Sequence, residues 1–127
     1  MKQKEFYVIA VDFDGTLCEY DFPRIGKQNE NHKKLLEILI KLKEKGHKLI
    51  LWTCRGDNKE YPCLTEAINW CKDQGLFFDT VNENIPGTKK LSGPSPKVVA
   101  DIYLDDRSLE FESEVSQFNS LAILQKL

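Results

Sequence analysis

Six consecutive apolar residues, Phe6 to Val11, run directly into Asp12, and a second carboxylate follows at Asp14 before the turn-forming Gly15 and Thr16. An apolar run of this length, closed by a residue free to turn, reads as a buried strand. Side chains alternate along a strand, so Asp12 and Asp14 are expected to face one way and Phe13 the other. Two carboxylates brought together out of water repel, and their desolvation has to be offset by a cation or a shared proton. The end of this strand is therefore expected to hold a metal ion.

The rest of the chain alternates strands and helices. Leu17 to Gln28, with Pro23 and Gly26, follows neither period and reads as a loop or short flap. Helix is expected from Asn29 or Asn31, either of which suits an N-cap, with Leu35, Leu36, Leu39 and Leu42 on one face and Gly46 as its stop. Lys48 to Thr53 forms a second apolar strand that ends in Thr53-Cys54-Arg55-Gly56-Asp57. Leu64, Ala67, Ile68 and Cys71 mark a second helix, begun by Pro62 and stopped by Gly75. Leu76 to Val81 reads as a third strand, Asn82 to Pro96 as a loop, and Ala100 to Leu104 as a fourth strand ending in Asp105-Asp106-Arg107. A helix is expected over Leu109 to Phe118, and Leu121 to Leu127 suits either a last strand or a docked tail.

This alternation implies one α/β domain over residues 1–127, with a central parallel sheet and right-handed crossovers. Ligands of such sheets bind outside the carboxyl ends of the strands, where the strand order reverses. Asp12, Thr53 and Asp105 each close a strand, so one crevice could gather all three.

Composition removes several alternatives. The 18 Lys and Arg residues against 20 Asp and Glu leave a net charge of −2, which gives no general attraction to nucleic acid or an anionic membrane. No apolar run approaches the roughly 18 residues of a membrane-spanning helix. Cys18, Cys54, Cys63 and Cys71 form no C-x-x-C pair and are read as structural thiols rather than zinc ligands. The Phe6–Val11 run is too short for the core of a secretory signal, so a cytoplasmic location with free thiols is expected.

The residues at the strand ends resemble the haloacid dehalogenase superfamily of phosphatases and phosphotransferases, and the resemblance spans nearly the whole chain. Asp12-Phe13-Asp14-Gly15-Thr16 is similar to that family's D-x-D-G-T/V first motif, Thr53 to its second, Lys97 to its third and Asp105-Asp106 to its acidic fourth. Taken singly, each has an ordinary explanation. An Asp-Gly pair commonly starts a turn, Thr is a common strand residue, Lys97 alone would be a solvated cation, and Asp105-Asp106-Arg107 could be a surface ion-paired turn. Their order along the chain, each beside a strand end, is what carries the resemblance.

The resemblance implies a three-layer Rossmann-like fold and a Mg²⁺-dependent phosphatase. Asp12 would be the nucleophile and carry an aspartyl-phosphate, with Asp14 as general acid and base. Mg²⁺ would be held by the Asp12 carboxylate, the Asp14 carbonyl and Asp105, with Asp106 in support. Thr53 and Lys97 would complete the catalytic set and, with Gly56, contact the substrate phosphate. Arg55 is read from its own place in Thr53-Cys54-Arg55-Gly56 as either a surface cation or a further contact to the substrate phosphate. Lys89 and Lys90 are rivals for the place of Lys97.

The family's substrate-selecting cap domain has no room here, because Leu17 to Gln28 and Asn82 to Pro96 are too short to form one. An open crevice suits a phosphorylated substrate, a small molecule in preference to a macromolecule, and leaves room for a homo-oligomer to cover it. The alternatives are a receiver-like phospho-accepting module and a catalytically idle binding subunit. A receiver carries its acceptor aspartate on a middle strand, where this chain has Thr53.

Overall fold

The protein's structure, a computed structural model, describes residues 5–87, 98–104, 121 and 123–127. The expected helix over Leu109 to Phe118 lies outside them, as do Lys89, Lys90, Lys97, Asp105 and Asp106. Among the described residues the elements are β1 (Val8–Val11), α1 (Glu30–Glu44), β2 (Lys48–Leu51), α2 (Cys63–Asp73), β3 (Thr80–Val81) and β4 (Ile102–Leu104). The four strands form an all-parallel sheet in the order β3-β2-β1-β4, a Rossmann-like α/β arrangement. Beginning at β1, the chain steps outward to β2 and β3, then returns to add β4 on the other side. The order thus reverses between β1 and β4.

β1 has four buried residues because it is central and covered on both faces. Ile9 and Val11 pack with Leu49 and Leu51 against Leu35, Leu39 and Leu42 of α1 and Ala67 and Cys71 of α2. α1 and α2 therefore cover the same face. Val8, Ala10 and Ile50 face the other way, onto Ile85 and Val98 from the two described ends of the connection between β3 and β4. Each fully buried aliphatic side chain contributes roughly 1.5–3 kcal/mol. Phe13, with no exposed surface, continues the helix-side row and meets the Trp70 ring edge-on at 5.5 Å.

The helix ends follow from local chemistry. Asn29 caps α1: its side chain accepts from the His32 N–H at 2.8 Å, and its own N–H donates to His32 Nδ1 at 3.0 Å. This is a reciprocal capping box with histidine in the place usually held by Glu or Gln. Pro62 stands at the start of α2 but supplies no side-chain cap. That task falls to Asp57, whose carboxylate accepts from both the N–H and the hydroxyl of Thr65.

Two aspartates pin the amino ends of the strands. Asp79, just before β3, accepts from the Leu49 N–H at 2.8 Å, and Asp101, just before β4, accepts from the Val8 N–H at 2.7 Å. Each fixes the entry of one strand against its neighbour. The expected third and fourth strands are shorter than their apolar runs suggest, since Leu76 is buried in the helix-side core without joining the sheet. At the carboxyl terminus, 121, 123 and 124 have helical backbone, and Leu121 and Leu124 are buried in the core. Of the two readings left open for that segment, the docked tail holds.

Candidate functional site

β1, β2 and β4 finish on one row, with Val11 paired to both Leu51 and Leu104. Asp12 is the next residue. Its N–H makes a last rung to the Leu104 carbonyl at 2.8 Å, while the Trp52 N–H donates to Val11 at 2.9 Å. Asp12 is half-buried at the carboxyl end of the central strand, where the order of the sheet reverses. Parallel sheets bind ligands at such a switch point.

After Asp12 the chain turns at once. The Phe13 carbonyl accepts from the N–H groups of Thr16 and Leu17, and Gly15 takes φ 84°, a conformation that costs glycine little. The turn leads into the flap, which closes on itself. Glu19 N–H donates to the Lys27 carbonyl at 2.7 Å, and the Gln28 side chain donates to the Leu17 carbonyl at 2.9 Å. A Cβ on Gly26 would stand 1.9 Å from the Glu19 carbonyl oxygen, so this closure needs glycine.

Asp14 and Arg55 form a two-pronged ion pair. Arg55 Nε donates to Asp14 Oδ2 at 2.8 Å and Nη2 to Oδ1 at 2.7 Å, with the arginine side chain fully enclosed. Nη1 donates to the carbonyls of Pro23 and Cys63 at 3.2 and 3.1 Å, and Nη2 also reaches the Arg24 carbonyl at 2.9 Å. The guanidinium lies 4.9 Å from the Phe13 ring centre and 5.3 Å from that of Phe22. Burial works to lower the guanidinium pKa, but the Asp14 carboxylate outweighs it and leaves the pKa raised.

The substrate contact expected of Arg55 is therefore not what the geometry offers. A guanidinium has five N–H donors, and all five end on protein oxygens. The leaving-group protonation expected of Asp14 is constrained as well. To donate a proton it must carry one, which would strip the charge from its pair with Arg55.

Thr53 sits half-buried just beyond β2, and its hydroxyl oxygen accepts from the Arg55 N–H at 3.1 Å. Gly56 is exposed, and its carbonyl accepts from the Cys63 thiol at 3.0 Å. Asn82, at φ 54°, bonds both the N–H and the carbonyl of Thr53. In the sequence Asn82 reads as the first residue of a loop. The signal that could have found it is its position after Val81, a polar residue tolerant of left-handed backbone at the end of a strand.

Among the described residues no three His, Cys, Asp or Glu side chains gather to hold a metal. The expected set draws Asp105 and Asp106 from outside those residues, although β4 does end beside Asp12 with Leu104. The donors inside fit a hard cation: the Asp12 carboxylate and the Asp14 carbonyl are both oxygens, and the ion pair with Arg55 uses only the Asp14 side chain.

All four cysteines are free. Burial pushes the Cys18 thiol up to about 11 and the Cys71 thiol up to about 12. Cys54 is exposed, so the purely structural role expected of it does not follow. A cavity of about 400 Å³ lies by the amino ends of β1 and β4, lined by Phe6, Val8, Val99 and Asp101, and includes none of the expected site residues.

A conserved protein from Bacteroides thetaiotaomicron, known as a solved structure, superposes on this chain with a TM-score of 0.74. The two are 34% identical, over 95% of this chain and 91% of the other. The chain belongs to that protein's family. Its description names no activity, so the likeness carries the fold and the kinship alone. No protein-family model matches the chain, and no curated protein matches it significantly.

Proposed function

We propose that the protein is a Mg²⁺-dependent phosphatase that hydrolyses a small phosphate monoester through a covalent phosphoryl group on Asp12. The observation that carries this reading is the position of Asp12, half-buried at the carboxyl end of the central strand where the sheet order reverses. The resemblance of Asp12 to Thr16, Thr53, Lys97 and Asp105-Asp106 to the haloacid dehalogenase motifs supplies the chemistry.

In the first step an Asp12 oxygen bonds to phosphorus while the ester P–O bond breaks, and the departing alcohol takes its proton from solvent. Water then attacks phosphorus, passes a proton to Asp14, and the Asp12–phosphorus bond breaks to release inorganic phosphate. The ion pair with Arg55 holds the Asp14 carboxylate in place for this role. The hydroxyl hydrogen of Thr53 is not used in its bond to Arg55 and can donate to a phosphoryl oxygen. Lys97 would offset the charge between Asp12 and the phosphate, and Gly56 would contact the phosphate from the segment after Thr53. Mg²⁺, when bound by Asp12, the Asp14 carbonyl, Asp105 and Asp106, supplies charge neutralisation and orientation of the phosphate.

Among the described residues no helix is long and apolar enough to cross a membrane. The decisive experiment is hydrolysis of p-nitrophenyl phosphate with Mg²⁺ and with EDTA, for the wild type and for Asp12→Asn. Turnover should need both the metal and Asp12. Undiminished turnover by Asp12→Asn would reject the covalent route, and a stable phosphoprotein without turnover would favour the receiver-like reading.

A further inference from the structure

Arg55 joins three stretches of chain that are far apart in sequence: Asp14 in the turn after β1, Pro23 and Arg24 in the flap, and Cys63 at the start of α2. Its side chain has no exposed surface. Lifting the flap removes two carbonyl acceptors and leaves buried N–H groups unpaired, which is costly. Moving Asp14 has the same effect on two others. The closed flap and the aligned carboxylate thus stand or fall together.

We propose that Arg55 is the positioning residue of this site, coupling closure of the 20–25 flap to the alignment of Asp14. Its kinetic consequence rests on the phosphatase reading above; the coupling itself does not. Every donor of Arg55 is taken by protein, so it acts on the reaction through Asp14 rather than by touching substrate. Lysine cannot replace it, because an ammonium lacks the planar fork that meets a carboxylate with two parallel bonds.

Trypsin offers a direct readout. Arg24 is exposed, with 77% of its side-chain surface accessible, and its carbonyl, the one that trypsin attacks, accepts from Arg55 Nη2. Cleavage there requires that bond to open.

The test compares the full-length wild type with Arg55→Lys at a temperature where circular dichroism finds both folded. Expected are a kcat on p-nitrophenyl phosphate lower by about tenfold or more, a KM within about threefold, and fragments ending at Arg24 that appear about fivefold faster. Asp79→Ala, which removes the bond to the Leu49 N–H and touches neither Arg55 nor Asp14, should melt earlier yet keep its kcat. A wild-type kcat and cleavage rate in Arg55→Lys would overturn the proposal. So would a raised KM with kcat kept, which marks direct substrate contact, or an equal loss of kcat in Asp79→Ala. Should Arg55→Lys fail to fold, Asp14→Asn decides by proteolysis: faster cleavage after Arg24 supports the coupling, and an unchanged rate overturns it. A wild type that hydrolyses no phosphate ester would remove the phosphatase reading, while the cleavage rates would still decide the coupling.

Discussion

Asn82 holds the backbone of Thr53 with both ends of its side-chain amide, accepting from the Thr53 N–H at 2.8 Å and donating to the Thr53 carbonyl at 3.0 Å. The Asn82 N–H also donates to the Leu51 carbonyl at 2.8 Å. One residue thus extends the β2–β3 ladder past its last strand pair and sets the turn that presents Thr53.

Replacing Asn82 separates its two contributions. Asn82→Gly loses the two side-chain bonds and is expected to cost about 1 kcal/mol, given their exposure. Asn82→Ala loses the same bonds but keeps a Cβ in left-handed backbone at φ 54°, without the local bonding that lets asparagine tolerate it, and is expected to cost about 2 kcal/mol. Urea denaturation should therefore rank alanine below glycine. The opposite order would reject the backbone argument.

Gly26 should be nearly irreplaceable in the flap. Alanine there meets the Glu19 backbone oxygen at 1.9 Å, and a backbone atom cannot step aside as a flexible side chain would. Gly26→Ala is expected to lower stability by about 2 kcal/mol or more. In contrast, Gly56→Ala meets nothing within 4 Å and should stay within about 0.5 kcal/mol of wild type. Thermal melts of the two variants provide the comparison.

His32 should make stability depend on pH. Burial holds its imidazole below the usual histidine value, opposed by the Glu19 carboxylate, and its Nδ1 must stay unprotonated to accept from the Asn29 N–H. The unfolded chain then binds the proton more readily than the folded one. Stability from this residue is full above a pH of about 6.5 and is lost as the pH falls through the lower folded value. His32→Gln retains an acceptor for the capping box and cannot titrate. Urea midpoints measured from pH 8 to pH 5 should fall more steeply for the wild type than for His32→Gln, and parallel curves would contradict the assignment.

Thiol labelling should separate Cys54 from the other cysteines. Cys54 is exposed, whereas Cys18, Cys63 and Cys71 are buried, and burial keeps Cys18 and Cys71 protonated at neutral pH. A disulfide reagent at pH 8 is expected to modify Cys54 rapidly in the native protein and the other three only on unfolding. Rapid release from two or more native thiols would count against the burial described for Cys18, Cys63 and Cys71.

Much of this architecture could be read from the residues because periodicity and local chemistry agreed. The apolar runs before Asp12 and Thr53 became β1 and β2, Asn29 became the cap of α1, and the leucines from Leu35 to Leu42 became its buried face. Cooperation across the chain was not legible. Nothing near Asp57 marks it as the cap of Thr65, and nothing near Arg55 marks its partners in the flap, since each pairing exists only once the strands are assembled. The third strand shows the same limit. Leu76 is apolar because it enters the core, and burial alone does not distinguish a core loop from a strand.

The order of the sheet bears on how the chain is made. β1 is synthesised before the other strands of the sheet, yet one of its two flanking partners is β4, and the Val8–Asp101 bond links positions 93 residues apart. A nascent chain can therefore join β1 to β2 and α1 soon after they leave the ribosome, but an unsatisfied edge of its innermost strand stays open until residue 104 arrives. Translation stalled before that point would yield a half-built sheet whose bare side invites pairing with another chain.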